Sequence, residues 1–194
     1  VIAITKKNST TLYSRNGKIL SNFPHIEEAL SKPEFNGLVL DGEVMSDDFQ
    51  SLMKQVHRKT NAKTADAYLA LFDILTLSEF NKGKSKLNSI QRKDLLNNIS
   101  KSFDSCIKPV DYIVLDFDTK EGQKTFSSMN KNALDEGYEG LMIKPINDIY
   151  ECKRSHAWLK IKPFIEVTLT VTDIQEGTGK HEGRLGAFSV EGED

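Results

Sequence analysis

The sequence predicts an α+β fold built on largely antiparallel sheets. Two observations carry that expectation. Short apolar segments with a two-residue alternation come in hairpin-like pairs, and single helical segments stand between some of them. A doubly wound parallel sheet would need a crossover between each pair of neighbouring strands, and the order of segments does not supply one. With 194 residues, 38% hydrophobic and 28% charged, the chain can bury a core and stay soluble.

Strands are expected at Val1–Thr5, Thr11–Ser14, Leu38–Val44, Ala67–Leu75, Tyr112–Leu115, Gly140–Lys144 and Trp158–Lys162. Helices are expected in three places. "SDDFQSLMKQV" offers Ser46 as N-cap, Asp47 and Asp48 in the first turn, and Phe49, Leu52, Met53 and Val56 at helical spacing. "IQRKDLLNNISKSF" repeats Ile90, Leu95, Leu96, Ile99 and Phe103. The third helix opens with Asp118 and Glu121 at capping-box spacing and ends at Gly137.

Pro163 marks an expected boundary. Residues 1–163 form one domain, and residues 164–194 open a second β unit too short to own a core. Val1 opens inside a strand pattern and Asp194 closes just past one, so the chain is expected to be a fragment at both ends.

Composition excludes several classes. The net charge of −2 does not advertise nucleic acid for the whole chain. Two basic runs do better locally: "KQVHRKTNAK" carries Lys54, Arg58, Lys59 and Lys63, and "NKGKSK" carries Lys82, Lys84 and Lys86. Each run reads as a solvated loop or as a stripe along phosphates. The two cysteines, Cys106 and Cys152, build neither a disulfide framework nor a zinc spacing. No apolar run is long enough to span a membrane.

Charge concentrates inside four apolar strands. "LVLDGEV" puts Asp41 and Glu43 on one strand face, and "LALFDIL" embeds Asp73. "YEGLMIKP" carries Glu139 and Lys144, and "WLKIKP" carries Lys160 and Lys162 on one face, their roots roughly 7 Å apart. Paired lysines are also what an ordinary solvent face carries. Charges embedded in four such strands, however, must be paired or line a shared cleft. Asp41, Glu43 and Glu139 are oxygen donors suited to Mg²⁺ or ribose, and Arg15, Lys144, Lys160 and Lys162 are cations suited to polyphosphate. A Walker-type loop is absent, which excludes a P-loop site.

These stretches resemble the ordered motifs of the covalent nucleotidyltransferases, most closely the small phage-type ATP-dependent DNA ligases. "SRNG" at Ser14–Gly17 is similar to the motif whose arginine, here Arg15, contacts nucleotide or phosphate. "LDGEV" resembles the motif whose glutamate, here Glu43, reaches ribose and metal. "LALFDIL" resembles the strand whose aromatic residue, here Phe72, stacks on adenine; plain core packing is the other reading of Phe72. "EGLMIK" is similar to the motif with a metal-binding Glu139 and a phosphate-facing Lys144, and "KRSHAWLKIKP" to the closing motif with Arg154, Lys160 and Lys162. "GTGKHEGRLGAFSVE" resembles the opening strands of the ligase OB domain.

The resemblance implies a nucleotidyltransferase (adenylation) domain followed by the start of an OB-fold barrel. It implies ATP and Mg²⁺ as cofactors and nicked duplex DNA as partner. It also implies roles in repair, replication and recombination, a monomer, and a bacterial or phage-infected host cytoplasm. The family's nucleophile is the lysine of Lys-x-Asp-Gly, and the chain contains none: Val39 stands where that lysine would precede Asp41-Gly42. The motif is expected ahead of Val1, and the chain as given is expected to form no AMP adduct. An RNA ligase, a capping-type guanylyltransferase and a non-catalytic nucleic-acid-binding relative share enough of the pattern to stand as alternatives.

Overall fold

The computed structural model describes residues 1–46, 66–163 and 166–192. The helix expected after Ser46 and the basic run from Lys54 to Lys63 lie outside the described residues.

The main body is a five-stranded sheet. In chain order its strands are β1 (Ile2–Lys6), β2 (Ser9–Tyr13), β3 (Leu38–Met45), β4 (Tyr68–Thr76) and β6 (Ile107–Pro109), arranged 2-1-3-4-6. Every pair is antiparallel except β4 with β6. β1 and β2 close through Lys7 and Asn8, both at positive φ, the conformation a tight hairpin turn requires.

The two faces of this sheet differ. One carries the larger core, with Ala3, Leu12, Leu40, Leu69, Leu71 and Ile74 packed under Ile26 and Leu30 of α1 (Pro24–Leu30). Leu96 of α3 (Ser89–Ile99) joins the same core. The opposite face holds a smaller cluster of Val39, Leu75 and Tyr150, with Ile2, Ile4 and Trp158 packed against it. Asp41, Asp73 and Lys144 stand on the side of that second cluster, through Tyr150 and Trp158.

Three small pieces complete the chain. α2 (Leu77–Asn81) begins in a Thr76/Glu79 capping box and leads to β5 (Lys84–Asn88), which pairs with β8 (Ile149–Glu151). β7 (Leu141–Ile143) pairs with β9 (Leu159–Ile161). α4 (Lys120–Asp135) follows its N-cap Thr119, and Gly137 terminates it at φ 83°. None of the described helices is long and apolar enough to cross a membrane.

Several expectations need correction. Residues 112–115 form no strand, because the sheet pairing is taken by Ile107–Pro109 and leaves Ile113 and Val114 exposed. The cap of α4 is Thr119, whose Oγ1 accepts from the Gly122 backbone N–H at 3.0 Å, rather than Asp118. "NKGKSK" is a turn entering β5, not a free loop. Beyond Pro163 the structure shows a hairpin of β10 (Leu169–Glu176) and β11 (Leu185–Gly192), with every residue of the two strands exposed. It is not a closed barrel, so the OB-fold opening stays an expectation. The architecture shown is mixed α/β with predominantly antiparallel sheets.

Candidate active site

The site begins with a register shift. β3 and β4 pair Asp41 with Asp73 and then Gly42 with Leu71, so Phe72 is one extra residue on β4. A bulge of this kind breaks the alternation of a strand. Leu69, Leu71 and Ile74 all face the larger core, while Leu75 lies in the smaller cluster. Phe72 and Asp73 are thereby both released toward the second face. Gly42 sits opposite the bulge, where an added Cβ would lie 2.5 Å from the Ala70 carbonyl oxygen.

Asp73 is the centre of a buried charge network. Arg92 of α3 donates from Nε to Asp73 Oδ1 at 2.6 Å and from Nη2 to Oδ2 at 3.2 Å. Its Nη1 donates to the carbonyls of Leu87 at 2.8 Å and Asp148 at 3.2 Å. Lys144, just past β7, donates to Asp73 Oδ2 at 3.3 Å. Its ammonium also lies 3.6 Å from the Trp158 ring centroid and 5.2 Å from that of Phe72. Burial pushes the Lys144 amine down from its ordinary value, against the pull of Asp73.

Asp41 lies beside this network. The Tyr150 hydroxyl donates to its Oδ2 at 2.7 Å. Burial raises the Asp41 carboxyl, and that hydrogen bond works the other way. Burial and the Asp41 charge hold the Tyr150 phenol well above its usual range. Trp158 packs edge-on against Tyr150 and donates from Nε1 to Asp148 at 3.1 Å. The loop carrying Lys144, β8 and the approach to β9 are thus tied to the sheet face.

The third group is exposed. Glu139 accepts from Lys160 and, at 3.0 Å, from Lys162. Hydrogen bonds from the two lysines hold its carboxyl down at about 2, and the same contact raises Lys160. Glu43 adds a further Coulombic pull on Lys160. The same-face placement of Lys160 and Lys162 in the sequence matches this shared partner. The opposite face is not sealed as the alternation implied, since Leu159 is exposed. Trp158 lies outside the three-residue strand and turns inward instead.

Two further expected residues are exposed. Arg15 is exposed on the turn after β2, and Arg154 is exposed on the rim of a cavity of about 240 Å³ with Tyr150, Ser155 and Trp158. Neither forms an ion pair with a described residue. Among the described residues no three of His, Cys, Asp and Glu come together as a metal cluster. Asp41, expected among the metal donors, accepts from Tyr150 and stands opposite Asp73 in the register of β3 and β4. Sequence reasoning missed Arg92 and Tyr150. The need of Asp73 for a partner was the signal that could have found Arg92.

The family model of the ATP dependent DNA ligase domain matches residues 1–162. The chain belongs to the ATP-dependent DNA ligase family. DNA ligase 2 of Methanosarcina acetivorans is 30% identical over 200 residues, covering 94% of this ligase-family chain and 34% of that protein. The DNA ligase of Archaeoglobus fulgidus is 30% identical over 194 residues, covering 93% and 33%. The chain thus spans about a third of the length of the curated relatives it matches. A solved structure designated Pmar-Lig_Pre. is 47% identical with a TM-score of 0.90, covering 100% of this chain and 47% of that one. The ATP-dependent DNA ligase of bacteriophage T7 in complex with ATP has a TM-score of 0.64 at 20% identity, covering 98% and 70%, and speaks for the ligase fold alone.

Proposed function

We propose that this chain is the adenylation core of an enzyme that seals nicks in duplex DNA with ATP. The carrying observation is the sheet face on which Phe72 and Lys144 stand together, with Glu43, Glu139, Lys160 and Lys162 interacting alongside. An aromatic ring, carboxylates and lysines are the groups that a base, a ribose and a phosphate chain require.

In this reading AMP passes from ATP to a lysine amine with loss of pyrophosphate. It then passes to the 5′-phosphate of the nick, and the 3′-hydroxyl displaces it. Phe72 stacks on adenine and Glu43 accepts from ribose. Arg15, Lys144, Arg154, Lys160 and Lys162 offset phosphate charge, which is worth most where that charge grows in the transition state. Mg²⁺ commonly takes one or two carboxylates, with water and substrate phosphates supplying the rest, and Glu43 and Glu139 fit that demand. Bound there, Mg²⁺ would supply charge compensation at the phosphate oxygens. Lys160 and Lys162 would then exchange the Glu139 carboxylate for phosphate.

The same reading takes residues 1–163 as the adenylation domain and 164–194 as the opening of an OB domain. It takes the protein as a monomer working in the cytoplasm. The test uses the full product of the gene that encodes this chain, with α-labelled ATP and a nicked duplex bearing a 5′-phosphate. Labelled protein followed by closed DNA is expected with ATP and not with GTP. Labelling by GTP, or closure of RNA nicks alone, would replace the reading with a capping-type or RNA-joining enzyme.

A further inference from the structure

Trp158 stands one residue before β9 and has no part in the nucleotide reading, yet its ring is held by two neighbours. Its Nε1 donates to Asp148 Oδ2 at 3.1 Å. The Tyr150 ring meets it at 78°, with 5.3 Å between centroids. Tyr150 is itself anchored, because its hydroxyl donates to Asp41 at 2.7 Å. Over the ring lies the Lys144 ammonium, 3.6 Å from the centroid.

The contacts of Lys144 are unequal. Asp73 gives both oxygens to Arg92, at 2.6 Å and 3.2 Å, and reaches Lys144 at 3.3 Å. That is long for a charged pair, which usually closes to about 2.7–2.9 Å. The Phe72 ring stands off at 5.2 Å. The indole contact is close, and indole is the side-chain ring that attracts a cation best. Asp73 is the only hydrogen-bond acceptor of Lys144 among the described residues. An ammonium has three donors, so two are left for another partner. The ordinary reading of Trp158 is packing, since it lies against the smaller cluster. A ring that only filled space would not turn a face to a charge.

We propose that Trp158 is a positioning residue of the candidate site, whose indole face fixes the Lys144 ammonium beside Phe72 so that Lys144 meets the phosphates of the bound nucleotide. This rests on the nucleotide reading above. Asp148 and Tyr150 keep the ring from turning away. The ring attracts the charge and leaves the free donors of Lys144 to phosphate oxygens. Without it, the flexible lysine stem would let the ammonium close on Asp73 or turn to water.

The experiment is calorimetric titration of the full product of the gene that encodes this chain. The ligands are adenosine and an ATP analogue whose α,β-bridge is a methylene group and cannot break. Trp158→Leu should weaken the analogue about tenfold and leave adenosine unchanged. Trp158→Phe should lose only about threefold, because a smaller ring still attracts the cation. In a Lys144→Met background neither substitution should cost the analogue anything further. Where Trp158→Leu does not fold, Trp158→Phe carries the same cycle. A second readout needs no ligand. The ε-methylene proton signal that disappears in Lys144→Met should lie upfield in the native protein, shielded by the indole, and return to its ordinary position in Trp158→Leu. Equal losses for analogue and adenosine would make Trp158 a packing residue and overturn the inference, with the nucleotide reading left standing. So would a loss that persists without Lys144, or a Lys144 signal that is not shielded. A shielded Lys144 signal in a protein that binds neither ligand would overturn the nucleotide reading, and this inference with it.

Discussion

Arg92 and Asp73 meet at 2.6 Å with both side chains buried, and they join helix α3 to the bulged part of β4. The pair cannot be judged by its Coulomb attraction alone, because both charges left water to form it. Its value lies in what else Arg92 ties down: the carbonyls of Leu87 and Asp148 fix the start of α3 and the turn before β8.

Arg92→Met should therefore destabilise the chain by about 3–5 kcal/mol, since among the described residues it leaves Asp73 with Lys144 alone as partner cation. Urea unfolding of the two proteins measures this. A loss below about 1 kcal/mol, the level of an exposed ion pair, would show that water reaches Asp73 and that the network is not dry.

Glu139 should titrate far below an ordinary glutamate. Its carboxyl is lowered from 4.5 to about 2 by Lys160 and Lys162. A carboxylate depressed on folding stabilises the protein above its unfolded pKa, and that contribution is lost as pH falls through the folded value. The loss should fall between about pH 4.5 and pH 2. Carboxyl NMR should give the low midpoint at low salt and a higher one in concentrated salt, because the contact is exposed. A midpoint unmoved by Lys160→Met with Lys162→Met would remove the lysines as its cause.

Phe72→Ala should cost ATP binding more than it costs the fold. The ring is half-buried on the bulge, and stacking on a base is worth about 1–3 kcal/mol. Adenosine affinity and melting temperature, measured on the same variant, separate the two roles. A large drop in melting temperature with affinity intact would assign Phe72 to packing.

Much of this arrangement was legible in the sequence, for reasons that differ by element. β3 was readable because Asp41 and Glu43 break an apolar run at two-residue spacing, and the structure keeps both off the core face. The partnership of Lys160 and Lys162 was readable from their parity, although the carboxylate between them was not. β4 was readable as a strand, but its bulge was not: "LALFDIL" is apolar on both sides of Phe72, so nothing in the pattern marks a change of face. Arg92 was hidden because helical arginines usually face water, and only the geometry shows this one turned inward. Ile113 and Val114 misled, since β-branched residues suggest a strand wherever they cluster. β5 and β8 were missed because their alternation is too short and too polar to stand out.

The single extra residue at Phe72 makes the length of β4 as informative as its composition. Pairing the same residues without the bulge would turn every residue after Phe72 to the other face of the sheet. Asp73 would then point into the larger core and Ile74 into the cleft, although every side chain had been kept. A sequence alignment that absorbs a gap here at no penalty would equate residues on opposite sides of the sheet. Anyone transplanting this strand between ligases must therefore match the count of residues before matching their chemistry.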